Sequence, residues 1–550
     1  MNAVTGRLPG RNAEFWPIAG LTAVAMLTLF TLFRRSINWD EYWFLSQVNE
    51  LAQHRLTRPL QTIHTRLFAW LTHVPGNDID ALIAGRLGMF ACLMVVAAAI
   101  VGIATRFAGR NAALFAALAY LSGGYVFQHG YSFRVDPLAT AMLMSALWAL
   151  LALRLSAVRI IGIAFLIGLA AMVTIKVVLY APVFAGVMWL RWNEAGRSRD
   201  EALRIIGTGL AAAAWFGLIF LYHRHDLAQA YEGAASNVLR TSAGYMFQMV
   251  PRFYWPMVLK AATTAPVLTL MILAFPFVLR RHAGSAAEKV ALAGFFAPLA
   301  TLLFYHNTAA YYYTFMLAPV SVAVAVVVPY ALHRFRAPAL AGVLAVNPLA
   351  VWVAEPQPSL PAQRTIAVAA KQLFPQPIGY FDKMAMLPSL AKHNMFMTKW
   401  GIDLYRTHEV PGLAETMARE AVPLVVENNE IFTQALRGID NQYRVYRDED
   451  IAVLRQNYVH FWGPFWLAGR DVPAGVEPVR FDLAVPGTYT VQQAPLVLDG
   501  VEHQPGAVVA LARGSHVIGG GRKAEARLIW GNNLRAPSYA APTGDLFIDF

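Results

Sequence analysis

The sequence predicts a multi-pass α-helical membrane protein of about 11 transmembrane helices, followed by an extracytoplasmic region. That region reads as a small α/β domain and then a β-sandwich. Three observations predict this. The 550 residues are 57% hydrophobic and only 14% charged, with a mean hydropathy of +0.44. Soluble domains carry roughly 25% charged residues, so these charges are too few to cover a soluble protein of this length. Apolar runs near the length that spans about 30 Å of hydrocarbon recur through the first 354 residues. From Glu355 onward no run is long enough to span, and 38 of 196 residues are charged, against 40 in the first 354.

The first run, Phe15–Phe33, is too long for a signal-peptide core, and Arg34-Arg35 follows it where a cleavage site needs small residues. Ten more runs follow: Leu82–Ala104, Asn111–Phe127, Pro137–Leu153, Ile160–Ile175, Val177–Leu190, Ile205–Tyr222, Ala261–Leu279, Val290–Tyr305, Tyr312–Leu332 and Ala339–Ala354. Charge orients them. With the N-terminus inside, the inner segments hold Arg7, Arg11, Arg106, Arg110, Arg154, Arg159, Arg191, Arg197, Arg199, Arg204, Arg280, Arg281, Lys289, Arg334 and Arg336. The short outer loops hold far fewer, the positive-inside pattern, and eleven spans from an inside N-terminus place the tail outside. The net charge of +12 is therefore a topological signal: the first 354 residues hold 27 basic and 13 acidic side chains, the tail 18 and 20. That distribution argues against nucleic acid as a partner. Cys92 is the sole cysteine, which excludes a disulfide framework and a cysteine-type zinc site.

Two outer segments are long, Arg34–Ala81 and His223–Lys260. In the first, Trp39, Tyr42, Trp43, Leu45 and Val48 recur at near-helical spacing, as do Leu67, Trp70 and Leu71. This reads as interfacial helices on the outer leaflet. The chain divides into residues 1–354, a membrane domain; 355–460, an α/β domain; and 461–550, the β-sandwich. In the α/β part, short apolar runs such as Val422–Val426 alternate with helix-like Leu413–Glu420. In the last part, strand-like Gly487–Val491, Val508–Leu511 and Ser515–Ile518 are punctuated by Asp499-Gly500, Pro505-Gly506 and Gly519-Gly520-Gly521 turns.

The sharpest chemical feature is Asp40-Glu41, just past the first span in Ile37-Asn38-Trp39-Asp40-Glu41-Tyr42-Trp43-Phe44. A carboxylate in a partly apolar place gains basicity, although a solvated pair beside an aromatic belt has the same sequence. Arg134-Val135-Asp136-Pro137 opens the fourth span. Asp136 as helix cap and Pro137 at the first helical position explain part of it. Arg134 remains, and suits a carboxylate or a phosphate. Arg86 sits near the outer start of the second span and Lys176 in an outer turn. Charge at membrane depth marks function or a buried pair, with snorkelling and a plain turn lysine as the alternatives. His306, Asn307 and Tyr311-Tyr312-Tyr313 fill the outer loop before the tenth span, as a belt or as substrate contacts. One topology puts all of these on one face.

The order of these motifs resembles a known family. An Asp-Glu pair after the first span, Ala84-Gly85-Arg86-Leu87 opening the second, Arg134-Val135-Asp136-Pro137 opening the fourth and Thr174-Ile175-Lys176 after the fifth look like the GT-C fold glycosyltransferases. The most similar branch is the protein O-mannosyltransferase and aminoarabinose transferase-like (glycosyltransferase 39-like) family, over about residues 10–335. The resemblance implies a polyprenyl-phosphate-linked sugar as donor and a glycan, lipid or protein hydroxyl as acceptor. Asp40 would be the general base, Glu41 would orient the Asp40 loop or the acceptor, and the anomeric carbon would be inverted. Arg134, Lys176 and Arg86 would bind the donor phosphate, with Asp136, His306 and Tyr312 supporting. Some members use a divalent ion; no ligand spacing here assigns one. No Gly-rich phosphate loop occurs in a strand–helix context, which suits a phosphate read by basic side chains. Two other readings are a transporter or flippase of a lipid-linked glycan and a non-catalytic surface-glycan assembly protein. Against the first, no internal repeat or paired broken helices appear, and the charges gather at one face.

Overall fold

The structure is a computed structural model that describes residues 14–228, 255–438, 445–475, 477–520 and 524–547. The readings on Arg7, Arg11, Gly521 and most of the second long outer segment lie outside them. The membrane part begins with α1 (Phe15–Leu32), α2 (Trp39–Ala52), α3 (His64–Leu67), α4 (Asp78–Ala108), α5 (Arg110–Leu121) and α6 (Gly124–His129). It continues with α7 (Val135–Ala152), α8 (Ala157–Val173), α9 (Ala181–Glu194) and α10 (Arg199–His225). After the undescribed segment come α11 (Trp255–Thr263), α12 (Pro266–Arg281), α13 (Ala286–Phe296), α14 (Tyr312–Val324), α15 (Val328–Arg334) and α16 (Ala337–Val353).

The fold class is as expected, but the count of 11 spans is not reached among the described residues. Seven helical stretches are long and apolar enough to cross a membrane, and an eighth if α11 and α12, bent by 103°, count as one. Two more, α8 and α16, are apolar but shorter. The segment expected at Asn111–Phe127 breaks at Ser122-Gly123 into α5 and α6. Every residue of α5 from Ala112 to Leu121 is buried, packed among α1, α4, α14 and α16. A helix apolar all round is a core helix as readily as a span. The outward faces of α10 and α12 stay apolar and exposed, through Leu210, Leu218, Leu270 and Leu273.

Arg106 and Arg191, two of the residues read as inner, stand at one end of the bundle. Arg106 reaches Glu194 and, at 3.3 Å, Glu288, so the ends of α4 and α9 meet the start of α13. Arg191 binds Glu201 at 2.6 Å and donates to the carbonyls of Leu150 and Leu153 at the end of α7. The start of α7, at the opposite end, carries the site described below.

The tail opens with α17 (Leu360–Leu373). Its main sheet joins β1 (Gly379–Phe381), β2 (Ala391–Lys392), β3 (Leu424–Val426), β4 (Tyr458–Trp462), β5 (Phe465–Val472), β7 (Gly487–Gln492), β10 (Val508–Leu511) and β12 (Ala526–Trp530). The order is β10-β7-β12-β5-β3-β1-β2, with β4 on β5. A second sheet, β6-β11-β8-β9, is built from Val479–Leu483, Gly514–Gly520, Leu496–Leu498 and Val501–His503. Phe481, Leu496 and Ile518 from it share one core with Tyr489, Val491 and Leu528 of the first, a sandwich as expected. The expected domain boundary at 460/461 falls inside the main sheet, because β5 pairs antiparallel with β3, Leu467 opposite Leu424. One continuous sheet carries both the α/β part and half the sandwich.

The tail is also fused to the membrane part. Ile37, Tyr42, Leu45 and Leu82 share a hydrophobic core with Leu360, Ile366, Phe465, Ile529 and Leu546. Trp43 stacks on Phe396, with ring centroids 4.8 Å apart and planes at 26°. The aromatics of α2 therefore pack against the tail, where an interfacial belt was expected. Trp70 and Leu67 do remain exposed, at 48% and 39%.

Candidate active site

Two ion systems stand side by side where α1, α2, α4 and α7 meet. The first centres on Glu41 and Arg86. Asn38 caps α2, and its backbone N–H donates back to Glu41 Oε1 at 3.1 Å, a capping box. Glu41 is fully buried and takes Arg86 in a two-pronged pair, Nε to Oε2 at 2.7 Å and Nη2 to Oε1 at 2.6 Å. Arg86 also donates to the carbonyls of Leu32, Arg35 and Ser36 at 3.1, 2.9 and 2.8 Å. The N–H of Phe133 donates to Glu41 Oε2 at 2.8 Å. Burial opposes the charge on Glu41; the guanidinium and the two backbone donors outweigh it and hold its carboxyl below the ordinary range. Gly85 makes the join possible, since a Cβ there would meet the Phe133 ring at 2.6 Å.

A guanidinium has five N–H donors, and Arg86 uses all of them. Arg86 therefore has none left for a phosphate, contrary to the expectation from sequence. Glu41 likewise has both oxygens engaged. Together they lock the exit of α1 to α2, α4 and the loop before α7.

The second system is a row of four charges. Asp40, one residue before Glu41 but turned to another side of α2, forms an ion pair with Arg134. Arg134 Nε lies 3.6 Å from Asp136 Oδ2, and Asp136 Oδ1 lies 2.5 Å from Lys176 Nζ. Tyr311 floors the row: the Arg134 guanidinium sits 3.3 Å from its ring centroid and Lys176 Nζ 5.0 Å from it. Tyr311 donates to Asn307 Oδ1 at 2.8 Å. Phe44 flanks Arg134 at 5.8 Å. Lys176 is set by the turn at Thr174, whose hydroxyl caps a short 3-10 helix, Ile175–Tyr180, leading into α9.

Asp136 is not a helix cap. Arg134 holds the cap position without a side-chain bond, and Asp136 lies in the first turn with its carboxylate given to Lys176. This row, unlike the first system, is incomplete. Arg134 Nε and Asp136 Oδ2 are buried and make no hydrogen bond among the described residues. The Asp40 side chain is 17% exposed, against 1% for Glu41. Buried cations with donors to spare beside a reachable carboxylate can hold an anion and accept a proton.

The other sequence candidates fall differently. Tyr312 is buried in the bundle, its hydroxyl 2.6 Å from Thr301 Oγ1 and its ring 4.8 Å from Tyr305. The neighbouring Tyr311 meets the cations. His306 is half-buried in the loop that delivers Tyr311. A divalent ion does not fit the row: Asp40 and Asp136 each already face a cationic side chain, which the ion would have to displace. Among the described residues no group of three His, Cys, Asp or Glu side chains comes together.

No family model and no curated protein matches the sequence. Among solved structures, ArnT from Cupriavidus metallidurans bound to undecaprenyl phosphate is similar. Its TM-score is 0.53 at 12% identity, over 79% of this chain and 97% of that one. The Archaeoglobus fulgidus oligosaccharyltransferase in the apo form aligns over 92% and 94% of the two chains, with a TM-score of 0.46 at 11% identity. The ArnT likeness shows the fold: this chain has the multi-pass GT-C architecture.

Proposed function

We propose that the chain is a membrane glycosyltransferase. It moves a sugar from a polyprenyl-phosphate donor to an acceptor hydroxyl at the outer, periplasmic face, with inversion. The observation that carries this reading is the incomplete charge row Asp40–Arg134–Asp136–Lys176 over Tyr311, at the bundle end away from the basic loops. The solved ArnT structure of this fold holds undecaprenyl phosphate, which supports a lipid phosphate as the ligand of such a site.

In this mechanism the donor phosphate takes Arg134 and Lys176 as partners and releases Asp40 from its ion pair. Asp40 then accepts the proton of the acceptor hydroxyl as its oxygen attacks the anomeric carbon. The bond from that carbon to the phosphate oxygen breaks, and the polyprenyl phosphate leaves with the electron pair. Two fixed cations at the leaving group supply charge stabilisation without rearranging solvent. Asp136 holds Lys176, and Tyr311 holds both cations. Glu41 and Arg86 position the Asp40 helix and touch no substrate.

The test is transfer of a labelled sugar from a polyprenyl-phosphate donor to an acceptor hydroxyl in membranes, wild type against Asp40→Asn. Transfer with inverted anomeric configuration, lost in the variant, is expected. Full transfer by well-folded Asp40→Asn would remove Asp40 as the base.

A further inference from the structure

We infer that the C-terminal tail is a positioning element of the active site, acting through Gln363 and Phe547 on the loop and helix that carry Asp40. The inference rests on the transferase reading above. Gln363, on α17, is fully buried. Its Oε1 accepts the N–H of Ile37 at 2.8 Å, and its Nε2 donates to the carbonyl of Ile37 at 2.9 Å. One side chain thus pairs both backbone groups of a residue three before Asp40, as a strand partner would. The same Nε2 donates to the carbonyl of Leu546 at 2.8 Å, and Ser359 Oγ donates to that carbonyl at 3.1 Å. Ser359 N donates to Ser36 Oγ at 2.8 Å.

This places the segment at Leu546-Phe547 under α2. The Phe547 ring lies edge-to-face on Tyr42, centroids 5.8 Å apart, and 6.4 Å from Trp39. Trp39 and Tyr42 bracket Asp40 and Glu41. Phe396 stacks on Trp43 one turn further along. Three separated parts of the tail therefore grip the residues on either side of the proposed base. A mere display module would need one attachment, and none at the site.

Displacing a reacting group by about 1 Å can cost a hundredfold in rate. Loosening this grip should act on turnover, with substrate affinity little changed. The experiment compares Gln363→Met, Phe547→Ala and the control Leu498→Ala, which is buried in the second sheet far along the tail. Two quantities are read in the purified full chain: kcat and KM for transfer, and hydrogen exchange at the backbone amides of residues 37–42. Gln363→Met and Phe547→Ala are expected to lower kcat about tenfold with KM nearly unchanged, and to speed exchange at those amides about tenfold. Leu498→Ala should lower thermal stability and change neither. Unchanged kcat and exchange in both site variants would overturn the inference, as would the same loss of kcat in Leu498→Ala. Exchange needs no turnover. If the wild type transfers no sugar, the transferase reading fails and the exchange arm alone decides the grip.

Discussion

Asp40 and Glu41 are adjacent in sequence and opposite in circumstance. Each meets one arginine. Glu41 is sealed, with both oxygens and every donor of Arg86 engaged. Asp40 is reachable, and its partner Arg134 keeps a buried Nε without a hydrogen bond. A completed buried ion pair is architecture, because a ligand finds no free donor or acceptor in it. An incomplete one is held ready for a further charge. The difference comes from the helix: about 100° separates neighbouring side chains, so the two carboxylates leave α2 toward different neighbours.

The contrast breaks most severely at the sealed pair. Arg86→Met leaves the Glu41 carboxylate buried with only its two backbone donors. Removing one member of a buried pair typically costs about 3–5 kcal/mol, so the variant should accumulate poorly and melt far below wild type in detergent. Adding Glu41→Gln should recover part of that loss, because no unpaired charge then remains. Wild-type melting of Arg86→Met would show that the pair is not structural.

Asp40→Asn is the reciprocal case. Its melting should stay near wild type, while transfer falls by roughly a thousandfold, about 4 kcal/mol of transition-state stabilisation. A variant that loses stability but keeps its rate would exchange the roles assigned to the two carboxylates.

A smaller effect belongs to the floor of the row. Tyr311→Leu keeps a buried apolar side chain but removes the ring under Arg134 and Lys176. A desolvated cation–ring contact contributes about 2 kcal/mol, so use of the donor, read as kcat/KM, should fall between tenfold and a hundredfold. Tyr311→Phe should fall much less, since the ring remains. Equal losses in the two would assign the effect to the hydroxyl and its bond to Asn307.

Much of the site is legible in the sequence. Asp40, Arg134, Asp136 and Lys176 stand out as charges in apolar surroundings that one topology brings to one face, and they meet. What the sequence hides is direction. It groups Glu41 with Asp40 as catalytic and favours Tyr312 over Tyr311, because the helical step separates neighbouring residues by about 100° without saying what each then meets. It reads Trp39, Tyr42 and Trp43 as a lipid-facing belt, because their cover comes from residues more than 300 positions away. For the same reason the pairing of β3 with β5 is invisible, and a domain boundary is drawn through one sheet. The run at Asn111–Phe127 reads as one continuous helix, because apolar content does not reveal the break at Ser122-Gly123.

The tail supplies an exposed counterpart that calibrates the other two pairs. On β11, His516 Nδ1 lies 2.7 Å from Asp499 Oδ2, and the N–H of Val517 donates to Asp499 Oδ1 at 2.8 Å. The bond to Asp499 raises the His516 pKa above its ordinary value, and the bond to His516, with that from Val517, lowers that of Asp499. A raised histidine favours the folded state below its unfolded pKa of roughly 6.5, and the gain is lost as pH rises through the folded value. A lowered aspartate contributes above roughly 3.9 and is lost as pH falls. The pair therefore stabilises the tail most between about pH 4 and 6.5, and less at pH 8. Asp499 is about half exposed, so water and salt screen the interaction. Exposed pairs contribute at most about 1 kcal/mol. His516→Gln should lower the melting temperature slightly at pH 5.5, leave it unchanged at pH 8.5, and leave transfer untouched at both. A loss as large as that expected for Arg86→Met would mean that burial is not what separates a structural ion pair from a surface one.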